Sequence, residues 1–303
     1  MCGIAGFLYK DPQRTGPVGK TLVELLGVLG SRGVDGTGVS LYGPSSPGKL
    51  VARVCLSGPE GPANQAERVL ARVRQIATVV EADLKADSLR LVVAYDGPIA
   101  RLADTIEGGE PGVDVFSLGR SMEIVKDVGD AARLDQKYGI STFVGSHGIG
   151  HTRLATESRV DIRHCHPFWA RPFPDISVVH NGQITNYHKL RRIYEMQGWQ
   201  FDTENDSEII ALYIAHKLAE GASLEEALRA SVNDLDGTFT YLVSTEQGIG
   251  YARDFFATKP LVVTETDEFV ALSSEEVALC QTFQRHRLNT WEPSAKEVRV
   301  WLR

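Results

Sequence analysis

The first part of the chain combines a strand-like apolar run with a helical stripe. Residues 2–9 form a short apolar run of the kind that a buried strand shows. Four leucines then follow at the i, i+3, i+4 and i+7 spacing of one helix face, and the pattern predicts that this helix ends near Gly33. A helix with a single apolar stripe packs on a flat surface, which a sheet provides. The leucines are Leu22, Leu25, Leu26 and Leu29.

A middle block from about residue 49 to 140 mixes strand and helix patterns. It follows a turn-rich stretch, 33–48, in which one strand is predicted at 38–42. Strands are predicted at 50–56, 89–95 and 112–117, with a helix between the first two, a short helix after the second and a further helix after the third. The apolar positions of the first of these helices are Ala66, Val69, Val73, Ile76 and Val80.

The second half of the chain is denser in strands. Ser223, with Glu226 three residues later, is a capping box and marks the start of one helix. Runs of strands and runs of helices, instead of strict alternation, argue against a doubly wound parallel sheet and favour a layered α+β sandwich. Strands are predicted at 148–153, 175–180, 238–244, 248–253, 260–264, 268–273 and 298–303, and helices near 186–197, 206–219 and 223–233.

Composition narrows the class of protein. The chain has 303 residues with 32 Lys+Arg and 39 Asp+Glu, a formal net charge of −7, which is enough for one large domain or two small ones. A mildly acidic chain without blocks of like charge does not favour nonspecific binding to nucleic acid or to an anionic membrane. No apolar run approaches the roughly 18 residues of a spanning helix, and no basic region precedes the first apolar residues. We expect a cytoplasmic protein.

Cysteine usage points to a reducing compartment and to one candidate nucleophile. Four scattered cysteines, none in a CxxC pair, do not make a disulfide framework. Cys2 becomes the first residue if the initiator Met1 is removed, and its own α-amino group then lies within reach of its thiol. That amine has a reference pKa of roughly 7.7–8.0, so it can take the thiol proton and later return it to a leaving amine. The alternative is a plain small hydrophobic residue at a frayed terminus.

Asn181 and Gly182 are candidate oxyanion donors. They follow an apolar strand, so that a side-chain amide and a backbone N–H would be presented together at one turn. Glycine permits close approach and a positive φ at such a position. The alternative is an ordinary hairpin turn, for which Asn-Gly is the commonest signal.

Two charged residues fit the ends of a free amino acid. Arg153 can bind a carboxylate through two parallel hydrogen bonds. Asp206 can accept an ammonium group, although the Asn-Asp-Ser stretch around it is also typical of a helix N-cap. A helix start and a binding role are compatible at this position.

The motifs taken together resemble the class II glutamine amidotransferase domain, a family of N-terminal nucleophile hydrolases. The resemblance covers roughly 1–40 and 145–280. The matching motifs are Cys2-Gly3-Ile4, Arg32-Gly33-x-Asp35-Gly36-x-Gly38, Gly150-His151-Thr152-Arg153-x-Ala155-Thr156, His166-Pro167-Phe168, His180-Asn181-Gly182, Asp206-Ser207-Glu208, Asp236-Gly237-Thr238-Phe239, Ala252-Arg253-Asp254 and Ser273-Ser274-Glu275.

The resemblance implies a four-layer αββα sandwich of two antiparallel sheets. It places the amidotransferase domain at 1–280, with an inserted α/β block at about 41–145 and a C-terminal tail at 281–303. It also implies that the domain hydrolyses L-glutamine through a γ-glutamyl thioester, without a cofactor or a metal. The implied roles are Cys2 as nucleophile, Asn181 and Gly182 as oxyanion hole, Arg153 and Thr156 as α-carboxylate site, Asp206 as α-ammonium site and Arg32 as a supporting residue.

Departures from the family pattern bear on the substrate lid and on the fate of the ammonia. Leu154 stands where many members carry an aromatic residue, and Glu157 where some carry His. About twenty residues follow residue 280, and the chain has no Walker loop or GxGxxG motif. We therefore expect the ammonia acceptor on another chain. The pattern most resembles the amidotransferase subunit of glutamate-synthase-like and N-methylglutamate synthase complexes, whose separate subunits carry flavin and iron–sulfur groups.

Three alternatives stay open at this point. The same machinery could hydrolyse a γ-glutamyl amide or peptide, since Arg153 and Asp206 would recognise the glutamyl end equally well. His164-Cys165-His166, with Cys2 or His151, could form a zinc site in an interaction module, although adjacent residues rarely converge on one tetrahedral centre. The chain could also be a scaffold with an inactive site, and if Met1 stays on, the proposed base is an amide and the mechanism fails.

Overall fold

Three antiparallel sheets and the helices that cover them make up the described part of the protein. The computed structural model describes residues 2–155, 160–284 and 288–303. The helices are α1 (Val18–Val28), α2 (Pro62–Val73), α3 (Ile99–Glu107), α4 (Ala131–Tyr138), α5 (Tyr187–Met196), α6 (Asp206–Ala219), α7 (Leu224–Asp234) and α8 (Glu276–Thr282). The strands are β1 (Gly3–Tyr9), β2 (Gly36–Tyr42), β3 (Lys49–Leu56), β4 (Thr78–Lys85), β5 (Ser88–Ala94), β6 (Val113–Gly119), β7 (Met122–Asp127), β8 (His147–Arg153), β9 (Phe168–Trp169), β10 (Ser177–Ile184), β11 (Gly237–Thr245), β12 (Gly248–Arg253), β13 (Val262–Glu265), β14 (Phe269–Ser273), β15 (Thr290–Trp291) and β16 (Val298–Leu302).

The start of the chain lies in the middle of the largest sheet. The strand order of this seven-stranded sheet is β15-β13-β14-β1-β8-β2-β7, so β1 has a hydrogen-bonded neighbour on each side. In the pairing with β8, Gly3 is opposite Thr152 and Ile4 is opposite His151. All seven residues of β1 are buried, which explains why its sequence is a continuous apolar run and not an alternating one.

Two sheets pack face to face and each carries helices on its outer face. The second sheet has the order β16-β12-β11-β10-β9. Side chains of β1 alternate between the two faces: Ile4 and Leu8 enter the core between the sheets, whereas Phe7 packs outward against the leucines of α1. Helices α6 and α7 cover the other sheet through a core that includes Leu228. The predicted α+β class and the four-layer αββα arrangement are confirmed.

A third sheet forms a lobe between β2 and β7. Its order is β4-β5-β3-β6, and α2 and α3 pack on it through a separate apolar core. Tyr42, the last residue of β2, pairs directly with Met122, the first residue of β7. The predicted inserted block at about 41–145 thus contributes both to this lobe and, through β7, to the seven-stranded sheet. The domain boundaries stay a prediction.

Several predicted elements are corrected by the structure. The helix predicted through Val80 ends at Val73, and Val80 lies in β4 instead. The strand β7 and the helix α8 were not predicted. Asn181-Gly182 is not a turn, because both residues lie inside β10, opposite Thr240 and Phe239 of β11.

Other predictions of local structure are confirmed. Ser223 and Glu226 form the reciprocal capping box at the start of α7. The end of the chain forms β16, which pairs with β12, and Trp301 packs into the core between the two sheets. Within the described ranges, every helix falls short of the length and hydropathy that a bilayer crossing needs.

Four buried histidines should make the fold sensitive to mild acid. Burial lowers the pKa of His147 to about 4 and of His151 to about 3, and it also lowers the pKa of His166 and His180. Below an unfolded-state pKa of about 6.5, the unfolded chain binds protons that the folded chain refuses, so the free energy of unfolding falls as the pH falls. Each such ring contributes up to about 1.4 kcal/mol per pH unit until its folded pKa is reached.

Urea unfolding at pH 7.5, 6 and 5 measures this dependence. Within its fully buried site, His147 binds the Ser146 hydroxyl and the Thr245 carbonyl. His147→Gln should lower stability at pH 7.5 but give a shallower loss between pH 6 and 5. His188→Gln, which changes an exposed histidine, is the matched control and should follow the wild-type curve. A His147→Gln curve as steep as the wild-type curve would contradict this explanation.

Candidate active site

Cys2 is fixed immediately before the central strand β1. Its side chain is half-buried, and its Sγ accepts a hydrogen bond from the backbone N–H of Leu154 at 3.3 Å. The Leu154 carbonyl oxygen lies 3.6 Å from the same sulfur. The end of β8 therefore borders the thiol directly.

Arg32 holds the peptide group that links Cys2 to Gly3. Its Nε donates to the Cys2 carbonyl oxygen at 2.8 Å, and its Nη1 pairs with Glu275 at 2.7 Å. Arg32 ends a short 3₁₀ turn that follows α1, and its side chain is almost fully buried. Arg32 thus ties the backbone of Cys2 to Glu275, and its supporting role stays a prediction.

The structure brings Asn181 to Cys2. The Asn181 Nδ2 donates to the Cys2 carbonyl oxygen at 3.2 Å and to the Ser274 hydroxyl at 3.4 Å. Its Oδ1 accepts from the ring of His151, whose Nε2 lies 3.2 Å away. The amide nitrogen thus contacts the backbone carbonyl of Cys2 from the neighbouring sheet. A donor in this place can stabilise negative charge that develops on a carbonyl oxygen attacked by Cys2.

Gly182 is required by the backbone conformation of β10. Its φ is 140°, a value that side chains rarely tolerate, and an added Cβ would lie 1.9 Å from the Thr238 carbonyl oxygen. The strand therefore continues through the Asn-Gly pair with an irregular backbone. The close pairing with β11, and not a tight turn, explains why a glycine is needed at this position.

The proposed carboxylate site lies at the end of β8. Arg153 is buried and is the last residue of that strand. Its carbonyl accepts from the Asp35 N–H at 2.9 Å, and the Asp35 carboxylate accepts from the Ala155 N–H at 2.9 Å. Asp35 thereby fixes the chain on both sides of Leu154, which borders Cys2. Thr156 and Glu157 lie outside the described residues.

Asp206 is the first residue of α6 and is tied to the strand that carries Asn181. Its Oδ2 accepts from the Ile184 N–H at 2.8 Å, and its Oδ1 accepts from the Ser207 hydroxyl at 3.3 Å. The N-cap is Asn205, whose side chain accepts from the Ser207 N–H. About a fifth of the Asp206 side chain remains exposed, so the carboxylate has room for a further donor.

Three buried histidines connect these groups, and the sequence analysis considered two of them, His151 and His166, only as ligands of the zinc alternative. The rings of His151 and His166 stack with centroids 4.2 Å apart and planes 17° apart. His166 accepts from the His180 backbone N–H through Nδ1 and contacts the Ser207 hydroxyl through Nε2. The Nδ1 of His180 contacts the same hydroxyl at 2.9 Å. Each histidine stands in one of the matched motifs, which was the signal available in the sequence.

Burial keeps the three rings neutral. Desolvation is the largest influence on each ring and lowers the pKa of His151 to about 3, with the pKa of His166 and His180 also below the usual value. A neutral imidazole carries one N–H and one acceptor nitrogen, so its hydrogen-bond partners determine its tautomer. These histidines can direct hydrogen bonds, but they do not act as cations at neutral pH.

Lys126 supports the segment that leads into His166. Its Nζ donates to the Cys165 carbonyl at 2.8 Å and approaches the Arg163 and Pro167 carbonyls at 3.4 Å. The ammonium also lies over the Phe168 ring, and burial lowers its pKa. A buried lysine on β7 therefore joins the edge of the seven-stranded sheet to the histidine stack.

The side chains of the predicted His164-Cys165-His166 tripeptide have separate partners. His164 binds the Asp161 carboxylate, Cys165 faces the Asp127 and Asp161 carbonyls, and His166 faces Ser207. Gly36 makes room for the Cys165 sulfur, since a Cβ there would lie 2.3 Å from it. This divergence argues against the alternative of a zinc site built on the tripeptide.

Comparisons with known proteins agree with the motifs. The sequence profile of a family described as "Glutamine amidotransferase domain" matches residues 151–281. A chain of Methanothermobacter thermautotrophicus, provisionally described as a glutamine amidotransferase, is 38% identical over 99% of this chain and 99% of its own length. The glutamine amidotransferase-like protein GlxB of Rhizobium meliloti is 37% identical over 99% of this chain and 98% of its own length.

A solved structure shares the fold. The glutamine phosphoribosylpyrophosphate amidotransferase from B. subtilis, complexed with ADP and GMP, superposes with a TM-score of 0.59 at 17% identity over 98% of this chain. The present chain spans 46% of that longer chain. At this identity the likeness concerns the architecture alone.

Gly182→Ala should destabilise the protein. Strain at a positive φ costs about 1–3 kcal/mol, and the methyl group would also displace the Thr238 carbonyl of the paired strand. Gly27→Ala is the matched control, because Gly27 lies exposed in α1 with open space around its Cα. The free energy of unfolding of Gly27→Ala should exceed that of wild type by about 0.5–1 kcal/mol. Chemical unfolding of both variants checks the prediction, and a Gly182→Ala protein as stable as wild type would refute it.

Proposed function

We propose, from the premise that this chain belongs to the class II glutamine amidotransferases, that it hydrolyses the side-chain amide of L-glutamine to glutamate and ammonia. The family membership rests on relatives that match the chain over nearly its whole length. The observation that carries the proposal is the contact of Asn181 Nδ2 with the Cys2 carbonyl at 3.2 Å. It sets an amide donor beside the one cysteine that can have a free α-amino group.

Cys2 performs both steps of the proposed reaction. After Met1 is removed, the α-amino group takes the thiol proton and the sulfur attacks the γ-carbonyl carbon of glutamine, forming a C–S bond. The resulting oxyanion is stabilised by the Asn181 amide and the Gly182 N–H. The ammonium form of the terminus returns the proton to the leaving nitrogen, and the C–N bond breaks to release ammonia. Water, deprotonated by the same amine, then attacks the thioester carbon. The C–S bond breaks, glutamate is released, and the terminal ammonium group returns its proton to the Cys2 sulfur.

The two charged ends of glutamine have separate binding groups in this proposal. Arg153, with Thr156, binds the α-carboxylate, and Asp206 binds the α-ammonium group. The support is chemical: a guanidinium pairs with a carboxylate in a two-pronged geometry, and the Asp206 carboxylate is tied to the backbone of Ile184, three residues after Asn181. The ammonium site would therefore be tied to β10, which carries the oxyanion donors, whereas the carboxylate site lies at the end of β8.

Arg32 orients the reacting residue. The Cys2 carbonyl oxygen receives hydrogen bonds from both Arg32 and Asn181. Fixing that carbonyl restricts rotation about the Cα–C bond of Cys2 and so limits the orientations that the residue can adopt. Arg32 is accordingly a positioning residue, and Glu275 balances its charge within the structure.

We further propose that the ammonia passes to a synthase on another chain. The resemblance to amidotransferase subunits of glutamate-synthase-like and N-methylglutamate synthase complexes supports this, and the flavin and iron–sulfur groups would belong to that partner. Measuring the glutaminase rate with and without a candidate synthase subunit tests the partnership. An unchanged rate and no co-purification would count against it.

Cys2→Ala should abolish ammonia release from glutamine while leaving the fold intact. The side chain is half-buried and precedes β1, so its truncation removes little packing. Cys280→Ala, in α8, is the matched cysteine control and should keep wild-type activity. Ammonia release and chemical unfolding are measured on all three proteins. Activity that survives in Cys2→Ala would end the proposal.

Intact-mass spectrometry of the wild-type protein should show that Met1 is absent. A preparation that retains Met1 should be inactive, because its Cys2 nitrogen is an amide and cannot serve as the base. The same preparations serve to compare glutamine with γ-glutamyl peptides. A preference for peptides of tenfold or more would shift the proposal to γ-glutamyl hydrolysis.

Arg153→Ala should raise the KM for glutamine by about 10- to 100-fold, the range expected when a charged hydrogen-bonded pair is lost. Arg229→Ala removes an exposed arginine that pairs with Glu225 one turn away in α7, and it should leave the KM unchanged. Steady-state kinetics of the two variants, with unfolding curves to confirm the fold, decide the matter. An unaltered KM in Arg153→Ala would remove this residue from the substrate site.

A further inference from the structure

We infer that His151 is a positioning residue that fixes the side-chain amide of Asn181 with its N–H groups towards Cys2; the inference rests on the proposed function. His151 lies in β8 of the seven-stranded sheet and Asn181 in β10 of the second sheet. Their contact, 3.2 Å from Nε2 to Oδ1, joins the two sheets beside the nucleophile.

The contact determines which way the amide faces. Oδ1 can only accept, so the His151 ring must donate through Nε2–H. A half-turn of the amide would bring Oδ1 against the Cys2 carbonyl oxygen and place two N–H donors opposite the ring N–H. Both of these contacts would be repulsive, because the first sets two acceptors against each other and the second sets two donors against each other. The histidine therefore selects the orientation in which Nδ2 reaches Cys2 and Ser274.

The surroundings fix both the tautomer and the plane of the His151 ring. The ring is 1% exposed, and its Nδ1 has no hydrogen-bond partner in the part of the chain that the structure describes. Placing the single proton on Nδ1 would leave a buried donor unsatisfied and remove the bond to Asn181, a cost of about 1–3 kcal/mol. Stacking on His166, which is itself held by the His180 N–H, restricts rotation of the ring.

The expected consequence concerns the chemical step and not glutamine binding. Removing an oxyanion donor outright typically lowers kcat by about 100- to 1,000-fold. Loss of the His151 N–H leaves the donor in place but free to rotate, so we expect kcat to fall by about 10- to 100-fold. The KM should change less than about threefold, because His151 belongs to neither of the proposed binding groups for the ends of glutamine.

Three substitutions separate positioning from packing. His151→Phe keeps a ring that can stack on His166 but removes the N–H, and kcat should fall. His151→Gln places an amide N–H near the position of Nε2 and should keep kcat within about threefold of wild type. His151→Asn is the matched control for His151→Gln, because the shorter Asn amide reaches only the position of Nδ1. The kcat of His151→Asn should therefore fall as that of His151→Phe does. Wild-type kcat in His151→Phe, equal losses in the Gln and Asn variants, or a change confined to KM would each overturn the inference.

Two further measurements make every outcome decisive. Wild type and Cys2→Ala are assayed in parallel: equal rates would refute the proposed function and the inference with it, whereas an active wild type with an active His151→Phe would refute the inference alone. If His151→Phe does not fold, nitrogen NMR of histidine-labelled wild-type protein, assigned with His151→Gln, reports the tautomer directly. The Nε2–H form is expected, and a ring protonated at Nδ1 would overturn the inference.

Discussion

The antiparallel pairing of β1 with β8 is the constraint on which the rest of the site depends. A chain terminus usually frays, because few contacts oppose its conformational entropy. Here the first strand is central, with β8 on one side and β14 on the other, and every residue of it is buried. The residue before it is consequently held in place by the whole sheet. Gly3 permits this tight packing, since a Cβ there would lie 2.9 Å from the Thr152 hydroxyl.

The polar groups around Cys2 are arranged in a water-poor interior in which each hydrogen bond restricts its neighbours. Arg32 and Asn181 share the Cys2 carbonyl, and His151 in turn engages Asn181. Because burial lowers the pKa of the histidines and keeps them neutral, they hold orientation without adding a positive charge of their own. Asp206 contacts the Ser207 hydroxyl, which reaches the rings of His166 and His180, and His166 stacks on His151. Hydrogen bonds and one ring stack thus join groups drawn from both large sheets.

The sequence predicted the layered fold better than it predicted local geometry. Strong apolar periodicity placed α1 and most strands of the second half correctly. The prediction that α2 continues to Val80 was wrong. Beyond Val73 the helical spacing of apolar residues is a coincidence, because Val80 belongs to β4. The strand β7 escaped prediction because it contains Glu123, Lys126 and Asp127, which are buried through partners distant in sequence. The histidine stack was missed for the same reason, since its contacts are entirely long-range.

The direct pairing of Tyr42 with Met122 has a topological consequence for the lobe. The chain departs from the edge of the large sheet and re-enters it at facing positions of two adjacent strands, only one interstrand spacing apart. In this respect the lobe is an enlarged hairpin loop. The entropy of closing such a loop grows only logarithmically with its length. Extra residues can therefore accumulate there over evolutionary time while the nucleophile's end of the sheet keeps its geometry.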